Sequence, residues 1–206
     1  MKCARCARSR RAFTLTELAV VLAIISVLGL LGFGAASRAK AKADRIECSH
    51  HLNNLGIART AQRADQGLRT LYETARNTPG KNIDLTAWQL VQASYSNSVP
   101  TGQWVCPADT RKAAADWASV RNDNLSYFMP LDPSELSPEA VLGGDRNVAL
   151  NGVPIPAGVA DFSKGTLSFT DSIHRRVGSL AMGGGSIQST AGILLRAKRE
   201  TRVVVP

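Results

Sequence analysis

The stretch Arg10 to Ser37, RRAFTLTELAVVLAIISVLGLLGFGAAS, decides how the chain is read. Its basic start gives way to Ala12-Phe13, then Thr14-Leu15-Thr16, then Glu17. From Leu18 to Ala36 run 19 uncharged residues with one hydroxyl, Ser26. About 20 apolar helical residues match a hydrocarbon core roughly 30 Å thick, so Leu18–Ala36 has the length to span a membrane. Glu17 stands at the head of that run. A carboxylate in a spanning helix costs about 2.5–3.5 kcal/mol at mid-bilayer and less near the interface, which makes it a functional residue in need of a partner. Phe13 lies four residues earlier, on the same helical face. A cut before Phe13 creates an amine. In a bundle of identical staggered helices, Glu17 of one copy can meet the amine of the next, because an unpaired buried charge is expensive.

The run Ala12-Phe13-Thr14-Leu15-Thr16-Glu17-Leu18, behind a short basic leader and ahead of an apolar helix, resembles the class III signal of type IV prepilins and type II secretion pseudopilins. That resemblance implies a peptidase cut between Ala12 and Phe13, N-methylation of Phe13, and a role for Glu17 in subunit assembly. The chain departs from the usual pattern in one place, with Ala12 where the family has Gly. The resemblance also implies a single-pass protein of the bacterial inner membrane, its leader cytoplasmic and its C-terminal domain periplasmic. The positive-inside rule does not decide this alone: five basic residues precede the apolar run, and Arg38, Lys40, Lys42 and Arg45 follow it.

Composition sets the remaining bounds. A chain of 206 residues holds one spanning helix and one further domain. The formal charge of +9 is concentrated at the start, where Lys2, Arg5, Arg8, Arg10 and Arg11 stand among the first twelve residues with no acid. The remainder has 20 basic and 16 acidic residues, so no nucleic-acid partner is expected. Residues 1–12 read as a leader rather than structure, and Cys3 and Cys6 go with it. The expected divisions are 1–12 leader, 13–36 apolar helix, 37–66 periplasmic half of the same helix, and 67–206 an α+β pilin-like domain.

No proline falls between Phe13 and Asn77, and Ala39, Ala43, Ile46, Leu52, Leu55, Ile57, Ala58 and Ala61 form an apolar stripe. The spacing predicts a continuous helix from Phe13 to about Asp65, about 80 Å long. Asp84 to Leu90 reads as a short helix capped by Asp84. Ser126–Met129 reads as a strand. Thr201–Pro206 is an edge strand or a frayed tail. Several short strands and turns make the domain α+β, a long helix packed on an antiparallel sheet.

Ser126-Tyr127-Phe128, Leu142 to Asn147 and His174 to Gln188 resemble a pseudopilin-like subgroup of planctomycete and verrucomicrobial lineages that ends in His, nine residues, Asp-Gly. Here Gly184 replaces the Asp, and Val177–Met182 and Ser186–Gln188 are expected to pair around a glycine turn. His174 then reads as structural. With the leader removed, Cys48 and Cys106 are the remaining cysteines, and an even count in an oxidising compartment suggests a disulfide. It closes a loop of about 58 residues, worth roughly 4 kcal/mol. Two buried free thiols are the alternative. Adjacent His50 and His51 point about 100° apart on a helix and suit no shared metal.

No nucleophile elbow, phosphate loop, zinc spacing or dinucleotide fingerprint occurs, so an enzyme is not expected. No cofactor is expected either. Calcium is the one alternative, with Asp132, Glu135, Glu139, Asp145, Asp161 and Asp171 as oxygen donors. The function expected is that of a structural subunit of a type II secretion or type IV pilus-like filament. Its partners are prepilin peptidase, other pilin or pseudopilin subunits, an inner-membrane assembly platform and membrane lipid. The alternative is a membrane-tethered periplasmic binding domain that carries the signal without polymerising.

Overall fold

The computed structural model describes residues 13–66, 86–96, 98–131, 138, 141–191 and 202–206. The chain divides into two compact units, Met1–Lys40 and Ala41–Pro206. One helix, α1 (Leu15–Gln66), runs through both, close to the limits expected from its proline-free sequence.

In the first unit, every large apolar side chain described from Phe13 to Leu30 is between 43% and 84% exposed. No described residue of the unit buries them. Among the described residues no helix is long and apolar enough to cross a membrane. The described part of the apolar run stops short of the sequence's 19 residues, because the side chains at 31–33 and 35 lie outside the description.

The second unit is α+β. Its strands are β1 (Tyr127–Pro130), β2 (Val141–Asp145), β3 (Val148–Leu150), β4 (Val153–Pro154), β5 (Gly158–Asp161), β6 (Leu167–Phe169), β7 (Val177–Met182), β8 (Ile187–Ala191) and β9 (Arg202–Val205). Six make one antiparallel sheet in the order β5-β9-β1-β2-β7-β8, and β4-β3-β6 make a second, smaller one. A second helix, α2, spans Ala87–Tyr95.

Strand side chains alternate between faces, so each strand can feed two cores. On β1, Tyr127 and Met129 join Cys48, Leu52 and Leu55 of α1 and Leu90, Val91 and Tyr95 of α2. Phe128 points the other way, into a cluster with Val148, Phe162, Leu167 and Leu180. On β9, Val204 faces the helices while Val203 and Val205 face that second cluster. The inner strands β9 and β1 are buried on both faces as a result.

Three expectations need correction. The final segment is neither an edge strand nor a tail: β9 lies between β5 and β1, with Val203 and Val204 fully buried. Its three consecutive valines suit a strand covered on both faces. The short helix has Thr86 rather than Asp84 at its N-cap position, with no capping bond from the Thr86 side chain, and runs on to Tyr95; Asp84 lies outside the described residues. On α1, Ile46 and Ile57 are 52% and 60% exposed. The face turned to the sheet carries Cys48, Leu52, Leu55 and Arg59, spaced at helical intervals. The β7–β8 pair forms as expected, from Val177–Ala191 to Ala181–Ile187. Gly185 makes the turn at φ 81°, its N–H donating to the Met182 carbonyl at 2.9 Å.

Candidate functional site

At the start of α1, Thr14 and Glu17 hold each other. The Thr14 N–H donates to Glu17 Oε2 at 2.8 Å, and the Thr14 hydroxyl donates to the same oxygen at 2.7 Å. The Glu17 N–H donates back to Thr14 Oγ1 at 3.3 Å. This reciprocal pair is a capping box, which satisfies two backbone donors that a helix start otherwise leaves open. Glu17 therefore has a local task that the sequence reading did not assign to it.

The second unit holds a cluster of four buried groups drawn from distant parts of the chain. Cys48 comes from α1, Cys106 from the turn after a 3-10 helix at Thr101–Trp104, Asp145 from the end of β2, and His174 from the turn before β7. Their sulfur, oxygen and nitrogen atoms all lie within 4.8 Å of one another. The Cys48 thiol donates to Asp145 Oδ1 at 2.9 Å, across 97 residues of sequence. Cys106 Sγ lies 3.1 Å from His174 Nε2, across 68 residues. Both cysteines are buried free thiols in this structure.

Burial and proximity shift these groups strongly. The hydrogen bond with Cys106, then burial, pushes the Cys48 thiol up. Hydrogen bonds from Cys48 and His174 hold Cys106 well below an ordinary thiol, against the opposing effect of burial. Burial raises Asp145 to about 6. His174 is raised by Cys106, which outweighs burial. The pattern has one physical cause: three groups able to carry negative charge share a dry space, and Cys48 has one proton to offer to either Cys106 or Asp145.

The neighbours fix the cluster in place. Tyr127 donates its hydroxyl to Cys48 Sγ at 3.4 Å, and the Ser179 N–H donates to Asp145 Oδ2 at 2.7 Å. Arg45 donates to the His174 carbonyl at 3.2 Å. Asp109 binds Arg146 through two hydrogen bonds of 2.8 Å, which ties the Cys106 turn to the residue after Asp145. Burial alone would raise the Asp109 carboxyl; Arg146 and Ser126 overcome that and hold it low. His174, Arg175 and Arg176 all have positive φ, at 55°, 51° and 63°. Left-handed backbone costs a non-glycine residue roughly 1–2 kcal/mol, so three in a row are held by their surroundings. Asn147 supplies part of that hold, donating to the Thr170 and Ile173 carbonyls at 3.0 and 2.8 Å.

A family model described as the prokaryotic N-terminal methylation motif matches residues 7–33. The N-terminal segment of this chain therefore carries a prepilin-type methylation motif. No curated protein and no solved structure is significantly similar to it.

The prepilin-like motif contains Ala12, Phe13 and Glu17. Ala12 lies outside the described residues, Phe13 is 76% exposed ahead of α1, and Glu17 sits in its first turn. Of the residues considered for calcium, Asp132, Glu135 and Glu139 lie outside the described residues. Asp145 belongs to the buried cluster, Asp161 accepts from the Ser163 N–H, and Asp171 pairs with Arg176 at 3.0 Å. His51 bonds the Val105 carbonyl through Nδ1 at 3.1 Å, and His50 is exposed. The sequence reading paired Cys48 with Cys106 but missed that Asp145 and His174 join them. Spacings this wide match no local motif. The available signal was the presence of His174 and Asp145 in two segments already singled out.

Proposed function

We propose that the chain is a structural subunit of a type II secretion or type IV pilus-like filament. Prepilin peptidase cuts between Ala12 and Phe13, and the new Phe13 amine is methylated. Leu18–Ala36 holds the subunit in the inner membrane and later packs in the filament core, alongside other pilin or pseudopilin subunits. The domain beyond it faces the periplasm and forms the filament surface. The work is polymerisation, not turnover.

The observation that carries this reading is the methylation motif at residues 7–33, set on a helix whose described large apolar side chains from Phe13 to Leu30 are bare. An exposed apolar surface of that extent marks an interaction site. Lipid covers it before assembly, and neighbouring helices cover it afterwards. Glu17 supports the same reading, because a carboxylate among packed apolar helices needs a cation, and the Phe13 amine of a neighbour supplies one.

The test is the intact mass of protein extracted from membranes of a host with a working prepilin peptidase. The expected mass lacks Met1–Ala12 and carries one added methyl group. A full-length mass in that host overturns the proposal.

A further inference from the structure

We propose that Cys48, Cys106, Asp145 and His174 bind one zinc ion, which fastens α1 to the sheet and to the turns carrying Cys106 and His174. The donor set is two sulfurs, one imidazole nitrogen and one carboxylate oxygen. Such a mixed sulfur, nitrogen and oxygen set in a closed four-ligand arrangement suits tetrahedral zinc. With metal–ligand bonds of about 2.0–2.3 Å, the edges of a tetrahedron run about 3.3–3.8 Å. The four donor atoms here already lie within 4.8 Å of each other, the two shortest recorded contacts being 2.9 and 3.1 Å. Shifts of an ångström or less convert one arrangement into the other.

Charge favours a cation over the other chemistry available to two thiols. A disulfide uses two of the four groups. It removes the thiol proton that Asp145 Oδ1 accepts and leaves that fully buried carboxylate short of a partner. Zinc uses all four. Both thiols lose their protons to water as the metal binds, so two thiolates, one carboxylate and a neutral imidazole meet the doubly charged ion. The net charge of minus one that remains is met by donors already in place, the Tyr127 hydroxyl on Cys48 Sγ and the Ser179 N–H on Asp145 Oδ2. Metal sites characteristically carry outer partners that orient their ligands in this way. The left-handed turn at His174–Arg176 fits as well, since it presents Nε2 to the cluster at a backbone cost the metal bond offsets. All four ligands are buried, Cys48, Cys106 and Asp145 completely, so the ion has no open position and its role is structural.

The experiment uses the full chain in detergent, carrying Cys3→Ser and Cys6→Ser so that only Cys48 and Cys106 remain. Protein isolated without added chelator is expected to contain one zinc per chain and to release two free thiols on denaturation. After stripping under reducing conditions, cobalt(II) is expected to give thiolate-to-metal charge-transfer bands and intense tetrahedral ligand-field bands, which zinc abolishes. The Cys48→Ser/Cys106→Ser chain loses the charge-transfer bands, and His50→Ala leaves them unchanged. Tyr127→Phe weakens zinc binding about 10-fold or more. Isolation as a metal-free disulfide, or failure of the reduced chain to give the cobalt spectrum, overturns the proposal. The cobalt spectrum of the otherwise native chain decides the matter even where a ligand variant does not fold.

Discussion

Glu17 has two tasks in this account, and one pair of substitutions separates them. Within its own chain it accepts the Thr14 N–H at 2.8 Å and the Thr14 hydroxyl at 2.7 Å. Between chains it is proposed to neutralise the Phe13 amine of a neighbour. Glutamine at position 17 keeps an oxygen for the capping box and removes the charge, whereas alanine removes both. Loss of a cap costs about 1 kcal/mol of helix stability. Opposite charges about 4 Å apart attract by about 4 kcal/mol at an effective dielectric constant near 20. Removing one of them leaves the amine unpaired in the filament core. Even if a residual hydrogen bond recovers 1 kcal/mol, the remaining loss of about 3 kcal/mol weakens each subunit contact roughly 100-fold. Glu17→Gln and Glu17→Ala are therefore both expected to abolish assembly while leaving cleavage intact. The assay is the share of processed protein recovered in sheared filaments, with intact mass confirming the cut. Full assembly of Glu17→Gln beside failure of Glu17→Ala refutes the charge argument and leaves capping as the whole role. Normal assembly of both variants refutes any need for Glu17 in docking, and absence of the unsubstituted, processed chain from sheared filaments favours a tethered domain that does not polymerise.

Other expected outcomes concern the second unit. Arg146→Ala leaves the Asp109 carboxylate, 1% exposed at its side chain, without its ion-pair partner. A loss of about 3 kcal/mol is expected in urea unfolding, partly recovered by adding Asp109→Asn. The absence of any loss rules out Arg146 as the clamp between the Cys106 turn and β2. Glycine to alanine changes are expected to differ in sign by position. Gly178→Ala places a methyl group in the Phe169 ring and costs about 1–3 kcal/mol. Gly56→Ala meets nothing within 4 Å on α1 and gains up to about 1 kcal/mol. Thermal unfolding that shifts both the same way contradicts this packing.

Much of the secondary structure was legible because its determinants are local. The proline-free stretch after Phe13 produced α1 nearly to its predicted ends. The glycines between Val177 and Gln188 produced a hairpin through Gly185. One local signal went unread: Asn151-Gly152, with φ of 52° and 82°, joins β3 to β4 as a two-residue turn of the kind that pair favours. Where the reading failed, the cause was distant. Ile46 and Ile57 are apolar and helically spaced, yet the sheet meets a neighbouring face of α1. The valines of β9 are equally compatible with an edge and an interior strand, and only pairing with both β5 and β1 settles the difference.

The sequence by itself determined the N-terminal signal, the apolar run, the long helix and the α+β class. Each of these is written in contiguous residues, where composition and periodicity act over a few turns of chain. Tertiary structure alone decided that Cys48 and Cys106 share a buried space with Asp145 and His174. Those four residues meet because α1, β2 and the turn before β7 close on one core. Contacts spanning 97 and 68 residues are set by how whole elements pack, which no local pattern encodes.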